Sequence, residues 1–177
     1  SIEIGMKWLE ENTNALGQEF WPFQKREMTF RIERFVSKEH ERMRKDKDGF
    51  TPLKCEASFG MDGEPPLVLN DSSTSVKLRG KIDRIDAVGS NCPQHLPVQS
   101  LMHGPLKVVD YKSSSSAISE KEAEFGRNIQ LPVYALACSQ VLFPGETVKT
   151  GNYLSITSGK SIGKLDFNKE KKDPDAP

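Results

Sequence analysis

Two periods divide the chain. Up to about residue 50 the apolar positions recur every three to four residues, and from residue 51 they recur at every second one. Residues 3 to 17 read as a short amphipathic helix, followed by an aromatic turn at Phe20, Trp21, Pro22 and Phe23. Met28, Ile32, Phe35, Val36 and Met43 fall at helical spacing and predict a second helix over residues 25 to 45. Its other faces carry Arg26, Arg31, Arg34, Lys38, Arg42 and Arg44 among Glu27, Glu33, Glu39 and Glu41, read as a solvated face rather than a DNA-backbone contact. Next, Leu53, Cys55, Ala57 and Phe59 alternate with Lys54, Glu56 and Ser58, as in a half-buried strand. Residues 60 to 66 are turn-like, and further strands are predicted over 76 to 88 and 106 to 112. They are joined by a Pro-, Gly-, Ser- and Gln-rich loop over 89 to 105. Residues 113 to 116, all serine, break the third strand. A helical segment follows over 119 to 143, interrupted by Pro132, so its second part should start near Gln130. Two short strands, around 148 to 157 and 162 to 167, precede a polar tail.

Strands interleaved with helices predict an α/β fold with a mixed central β-sheet flanked by α-helices. We expect residues 1–177 to form a single domain: a helical part over 1–50, a sheet-and-helix core over 51–167, and the tail over 168–177.

Composition changes this picture little. With 25 basic and 25 acidic residues the formal net charge is zero, which neither indicates nor forbids nucleic-acid binding, since a local basic groove suffices. No apolar run approaches the roughly 20 residues that span a bilayer, so no membrane association is expected. Cys55, Cys92 and Cys138 match no zinc or iron–sulfur spacing and are read as reduced thiols of a cytoplasmic protein. The chain opens on Ser1 and is read as a processed chain or a piece of a longer one.

The chemistry is concentrated in Lys107-Val-Val-Asp-Tyr-Lys112. On a strand, Asp110 and Lys112 share a face about 7 Å apart, while Val109 and Tyr111 point the other way. A carboxylate beside an ammonium suits phosphodiester hydrolysis. The carboxylate binds a hard divalent cation, and the lysine positions the attacking water or offsets developing negative charge. By itself Asp-x-Lys is more often a surface ion pair. The context comes from Gly80-Lys-Ile-Asp-Arg-Ile-Asp86 on the preceding strand, which puts Asp83 where it can converge on Asp110. Two carboxylates are enough for magnesium, which keeps several waters. By strand parity Arg84 and Asp86 face away from Asp83 and are read as structural. Gln130 and Tyr134 stand four apart and hence on one helix face. Glu56 either orders metal and water or makes a structural ion pair. His40 is read as a surface residue, and His95 and His103 as loop residues.

These runs, with the strand around Glu56, resemble the RecB- and AddB-type nuclease domain of the PD-(D/E)XK superfamily over roughly residues 51 to 140. The resemblance implies a restriction-endonuclease-like core and a Mg²⁺- or Mn²⁺-dependent, exonuclease-like deoxyribonuclease acting in DNA repair or recombination. It implies that Asp83, Asp110 and the Tyr111 carbonyl hold the metal, that Lys112 is the catalytic lysine, and that Gln130 and Tyr134 contact the DNA strand. The sequence departs from the pattern in two respects. Many relatives carry a metal-ligating histidine in an upstream Gly-x-x-x-His helix, and His40 has no glycine four residues before it. AddB-type proteins often hold an iron–sulfur cluster on four cysteines, and with three here none is expected. There is no Walker-A motif, so helicase activity would belong to a partner protein or to a portion outside this chain. The competing expectation is a catalytically silent DNA-binding or scaffolding module that keeps the nuclease fold.

Overall fold

The computed structural model describes residues 2–12, 20–88, 104–114, 116–119, 121–122 and 126–168. In chain order the described elements are α1 (Ile2–Asn12), α2 (Trp21–Lys45), β1 (Phe50–Phe59), β2 (Leu67–Asn70), β3 (Ser75–Leu78), β4 (Gly80–Val88), β5 (Leu106–Lys112), α3 (Gln130–Ala137), β6 (Val148–Ser155) and β7 (Ser161–Asp166). Five of these strands form one sheet in the order β1-β4-β5-β6-β7, with β5 at its centre. Its pairings are antiparallel except for β5 and β6, which run parallel. A parallel step needs a crossover, and α3 provides it. The fold is therefore the expected mixed α/β arrangement.

The central strand explains the layering. Leu106, Lys107, Val108, Val109 and Asp110 are all buried, as in a strand covered on both faces. On the face of Leu106, Val108, Asp110 and Lys112 lies α3, whose Leu131, Tyr134 and Ala137 join Ile82, Ile85 and Tyr153 in the apolar core. Burying the leucine and the two isoleucines contributes about 1.5–3 kcal/mol each. At Gly151 on β6, an added Cβ would come within 3.2 Å of the Leu131 Cβ, so any larger residue there would press α3 outward by a few tenths of an ångström. Pro132 sits in the first turn of α3, where its missing N–H costs no helical bond. The helix then widens into a π-helical turn over Cys138–Leu142, marked by the Phe143 N–H donating to the Cys138 carbonyl at 2.8 Å.

On the opposite face, α2 docks differently from its predicted apolar stripe. Val36 and Met28 are exposed, and among the described residues the buried one on α2 is Glu39. Lys38 and Arg42 donate to the carbonyls of Ser158 and Gly159 in the β6–β7 turn, at 2.7 and 2.8 Å. The charges of α2 are thus in part its docking surface, which corrects the reading of a wholly solvated face.

Two strand expectations are also corrected. Alternation along β1 breaks because its register shifts between Pro52 and Lys54 and because Glu56 is left-handed, with φ +52°. Ala57, Ser58 and Phe59 are consequently all buried while Cys55 is exposed, and the Ser58 hydroxyl donates to Asp62 Oδ2 at 2.7 Å. The long strand predicted over 76 to 88 is split at Arg79, and β3 leaves the sheet to pair with β2, a strand not anticipated. The loop over 89 to 103, with Cys92, His95 and His103, lies outside the described residues, as do residues 13 to 19 and the tail from 169. Among the described residues no helix is long and apolar enough to cross a membrane.

Candidate active site

The β4–β5 register builds the site. Pairs run from Ala87↔Leu106 to Arg84↔Val109, so the next step brings Asp83 opposite Asp110. There the ladder opens, and the Tyr111 N–H donates to Asp83 Oδ2 at 2.7 Å. Asp83 is half-buried, while Asp110, in the covered middle of the sheet, is 2% exposed. Burial pushes the Asp110 carboxyl above its ordinary range, with Asp83 adding to that against the pull of Lys112.

Lys112 continues the constellation toward α3. Its Nζ lies 2.7 Å from Asp110 Oδ2, a charge contact at an angle outside hydrogen-bond geometry. The same ammonium donates to Gln130 Oε1 at 2.6 Å, and Gln130 Nε2 donates to the Tyr134 hydroxyl at 2.8 Å. Gln130 thus accepts from the lysine with one end of its amide and donates to the tyrosine with the other, so its orientation is set by both neighbours. Tyr134 meets the ring of Phe59 edge-on at 6.4 Å, and burial raises its hydroxyl above the usual range despite the Gln130 bond. Under the ammonium lies the Tyr153 ring, with Lys112 Nζ 5.4 Å from its centroid.

The charge count decides what this arrangement can hold. Two carboxylates with one ammonium beside them leave a partly buried site short of one positive charge when both are ionised. Buried charges are normally paired or coordinate a metal. Among the described residues no three histidine, cysteine or acidic side chains come together as a metal cluster. The donor set is therefore two carboxylates plus main chain, too few for a zinc site but suited to magnesium or manganese, which retain waters.

Asp83, Asp110, Tyr111, Lys112, Gln130 and Tyr134 thus form one contiguous set of contacts. Glu56 stands apart from it on the rim, its carboxylate 65% exposed and paired with Lys81 at 3.1 Å. His40 is exposed on α2. Tyr153 is a member that sequence reasoning missed. Its place depends on the parallel register Asp110↔Tyr153, a long-range fact with no local signal in the run Gly151-Asn-Tyr-Leu154.

The sequence model of the PD-(D/E)XK nuclease superfamily matches residues 6–175 of this chain. Similar proteins include an ATP-dependent helicase/deoxyribonuclease subunit of Alkaliphilus oremlandii, 33% identical over 90 residues, which is 50% of this chain and 7% of that protein. The corresponding helicase/deoxyribonuclease protein from Moorella thermoacetica is 36% identical over 104 residues, 58% of this chain and 8% of its own length. That of Clostridium novyi is 29% identical over 130 residues, covering 70% of this chain and 11% of the relative. The chain therefore spans a small fraction of the length of these relatives.

Proposed function

Since this chain belongs to the PD-(D/E)XK nuclease superfamily, we propose that it is a Mg²⁺- or Mn²⁺-dependent deoxyribonuclease domain, exonuclease-like, that works within a DNA repair or recombination helicase–nuclease system. The observation that carries the proposal is the Asp83–Asp110–Lys112 constellation, two adjoining carboxylates compensated by a single ammonium. The system is proposed from the naming of the relatives as helicase/deoxyribonuclease subunits. With so little of their length covered, a motor would lie in a partner or in another segment.

Asp83 and Asp110 hold the ion in this reading. In an extended strand the N–H and C=O of one residue point to the same side, so the Tyr111 carbonyl is directed toward the Asp83 flank and can complete the ligand set. When bound, the divalent ion supplies Lewis acidity at the phosphate and acidifies a water. Lys112, steadied between Asp110 and Gln130, orients the attacking water and offsets the negative charge that develops on phosphorus oxygens. Gln130 and Tyr134 line the same opening from α3 and contact the DNA strand. Glu56 is left out of the ligand set in this reading: its side chain is mostly exposed and its carboxylate lies against Lys81.

Single-turnover cleavage of linear duplex and single-stranded DNA with Mg²⁺, together with Mn²⁺ calorimetry, tests the proposal. Wild type is expected to cut and to bind Mn²⁺, whereas Asp110→Ala does neither. Unchanged Mn²⁺ affinity in Asp110→Ala would overturn the site. A wild type that binds DNA and Mn²⁺ without cutting would identify the silent module, a reading favoured by the lack of a third clustered acidic or histidine ligand among the described residues.

A further inference from the structure

Behind the sheet, on the face turned from Asp110, lies a second and denser set of charges. Among the described residues it runs as an alternating chain: Arg42, Glu39, Arg84, Asp86, Lys107, Asp46. Arg42 pairs with Glu39, whose Oε1 accepts from Arg84 Nη2 at 3.2 Å. The Arg84 guanidinium also meets both oxygens of Asp86, at 2.7 and 3.1 Å. Lys107 Nζ lies 3.5 Å from Asp86 and 2.8 Å from Asp46. Glu39, Arg84, Asp86 and Lys107 are all buried. Burial pushes the Asp86 carboxyl up against the pull of Arg84 and Lys107. The remaining Arg84 nitrogen, Nη1, donates to the Tyr111 hydroxyl at 2.8 Å.

Stability does not account for this arrangement. Buried ion networks are often no more stable than apolar side chains of the same volume, because desolvation offsets the attraction; a role in fixing position has to be argued case by case. Here the network has one neutral member, and that member adjoins the catalytic centre. The Tyr111 ring stands edge-on to Phe35 of α2 at 5.5 Å, and the Arg84 carbon Cζ lies 5.7 Å from its centroid. Its hydroxyl is gripped by Arg84 from behind, while its N–H holds Asp83 in front. Asp110 and Lys112 are its two neighbours along the strand. A displacement of the Tyr111 side chain would therefore turn the peptide that orders both carboxylates.

We propose that Glu39 and Arg84 are positioning residues acting through Tyr111: from the rear of the sheet they fix the peptide that aligns Asp83 and Asp110 at the front. The inference rests on the metal-site reading above for its consequence, but not for its geometry. The variants that isolate it are Tyr111→Phe, which removes the hydroxyl and keeps the ring against Phe35, and Glu39→Gln, which keeps a hydrogen-bond acceptor for Arg84 and removes the charge.

Amide hydrogen exchange at position 111, followed by NMR in the metal-free protein, reads the positioning directly. It is expected to speed up roughly ten-fold in Tyr111→Phe, the scale for weakening one local hydrogen bond. Glu39→Gln should shift it in the same direction. Mn²⁺ affinity by calorimetry is expected to fall 10- to 100-fold, on the order seen when outer-shell partners of metal ligands are removed. The KM for DNA should stay unchanged. A merely structural role would lower Tm and leave the folded protein's position-111 exchange and Mn²⁺ affinity as in wild type. Wild-type exchange at position 111 in both variants would overturn the proposal, whatever the metal does. Failure of wild type to bind Mn²⁺ would instead overturn the metal-site reading, and the exchange result would still decide this one.

Discussion

Asp86 and Asp110 lie on adjacent strands of one sheet, both buried, both with carboxyls pushed up by burial, yet they stand in opposite circumstances. Asp86, at the rear, lies between Arg84 and Lys107 in a chain where each charge has opposite neighbours. Asp110, at the front, contacts one ammonium and has a second carboxylate, Asp83, acting on it. The rear set alternates in sign throughout, whereas the front set is balanced either by a proton on Asp110 or by a further cation. A sheet that covers β5 with helices on both faces can thus hold a paired ionic network on one side and the proposed metal site on the other. The two are separated by the thickness of a single strand. Tyr111 is the residue that belongs to both.

The comparison is broken most forcefully at Lys112. Lys112→Ala should keep Mn²⁺ binding, but because the Asp110 side chain is 3% exposed and loses its ammonium the metal-free protein should lose about 1–3 kcal/mol, less than for a fully buried pair, since the lysine is about one-third exposed. Cleavage should fall by roughly a hundred- to ten-thousand-fold, the range for removing a proton-transfer or electrostatic group. Equal single-turnover rates in variant and wild type would disprove a catalytic lysine.

Neutralising the two buried aspartates in turn should then give stability changes of opposite sign. Asp86→Asn leaves Arg84 and Lys107 under-compensated in the interior and should cost about 3–5 kcal/mol by urea unfolding. Asp110→Asn should stabilise the metal-free protein at neutral pH by about 0.5–2 kcal/mol, the usual gain from relieving a functional site. The pH dependence follows from the raised Asp110 carboxyl, which holds its proton more tightly in the folded than in the unfolded state. Its contribution is favourable below the ordinary carboxylate range and is lost as pH rises through the raised value. The advantage of Asp110→Asn should therefore shrink as the pH is lowered. A variant that destabilises equally at every pH would show Asp110 to be a structural partner like Asp86.

What the sequence conveyed depended on how local the determinant was. Strand β5 was legible to the residue, because an apolar run ending in Asp-Tyr-Lys carries both its burial and its parity. The pairing of Asp83 with Asp110 was legible because antiparallel strands joined in sequence share a short list of registers. Gln130 and Tyr134 were legible as one helix face. What was missed lies in long-range geometry. Nothing in β1 announces the left-handed Glu56 or the register shift that turns Ser58 inward. Glu39 looks like any other glutamate of a charged helix until Arg84 is brought against it across the sheet. Tyr153 carries no local signal, and only the parallel register sets it beneath Lys112.

The smallest expected effect concerns Glu56, and it sharpens where the front site ends. A glutamate at φ +52° is in a region that residues with a Cβ seldom adopt, and such outliers often mark functional sites. Against that, the side chain is mostly exposed and its carboxylate is paired with Lys81, itself about half exposed. An exposed pair of this kind contributes little, so Glu56→Gln should change stability by no more than about 0.5 kcal/mol. Cleavage should be essentially unchanged, because the carboxylate contacts neither Lys112 nor the Asp110 side chain it would have to assist. Glu56→Gly should in turn stabilise the fold slightly, since glycine takes a positive φ without the strain of a Cβ. The decisive measurement is single-turnover cleavage by Glu56→Gln at saturating Mg²⁺. A loss on the order of 100-fold, the scale of a proton-transfer group, would mean that Glu56 leaves Lys81 when DNA binds. The front site would then extend across β4 onto β1, and the contrast with the rear network would have to include a third carboxylate.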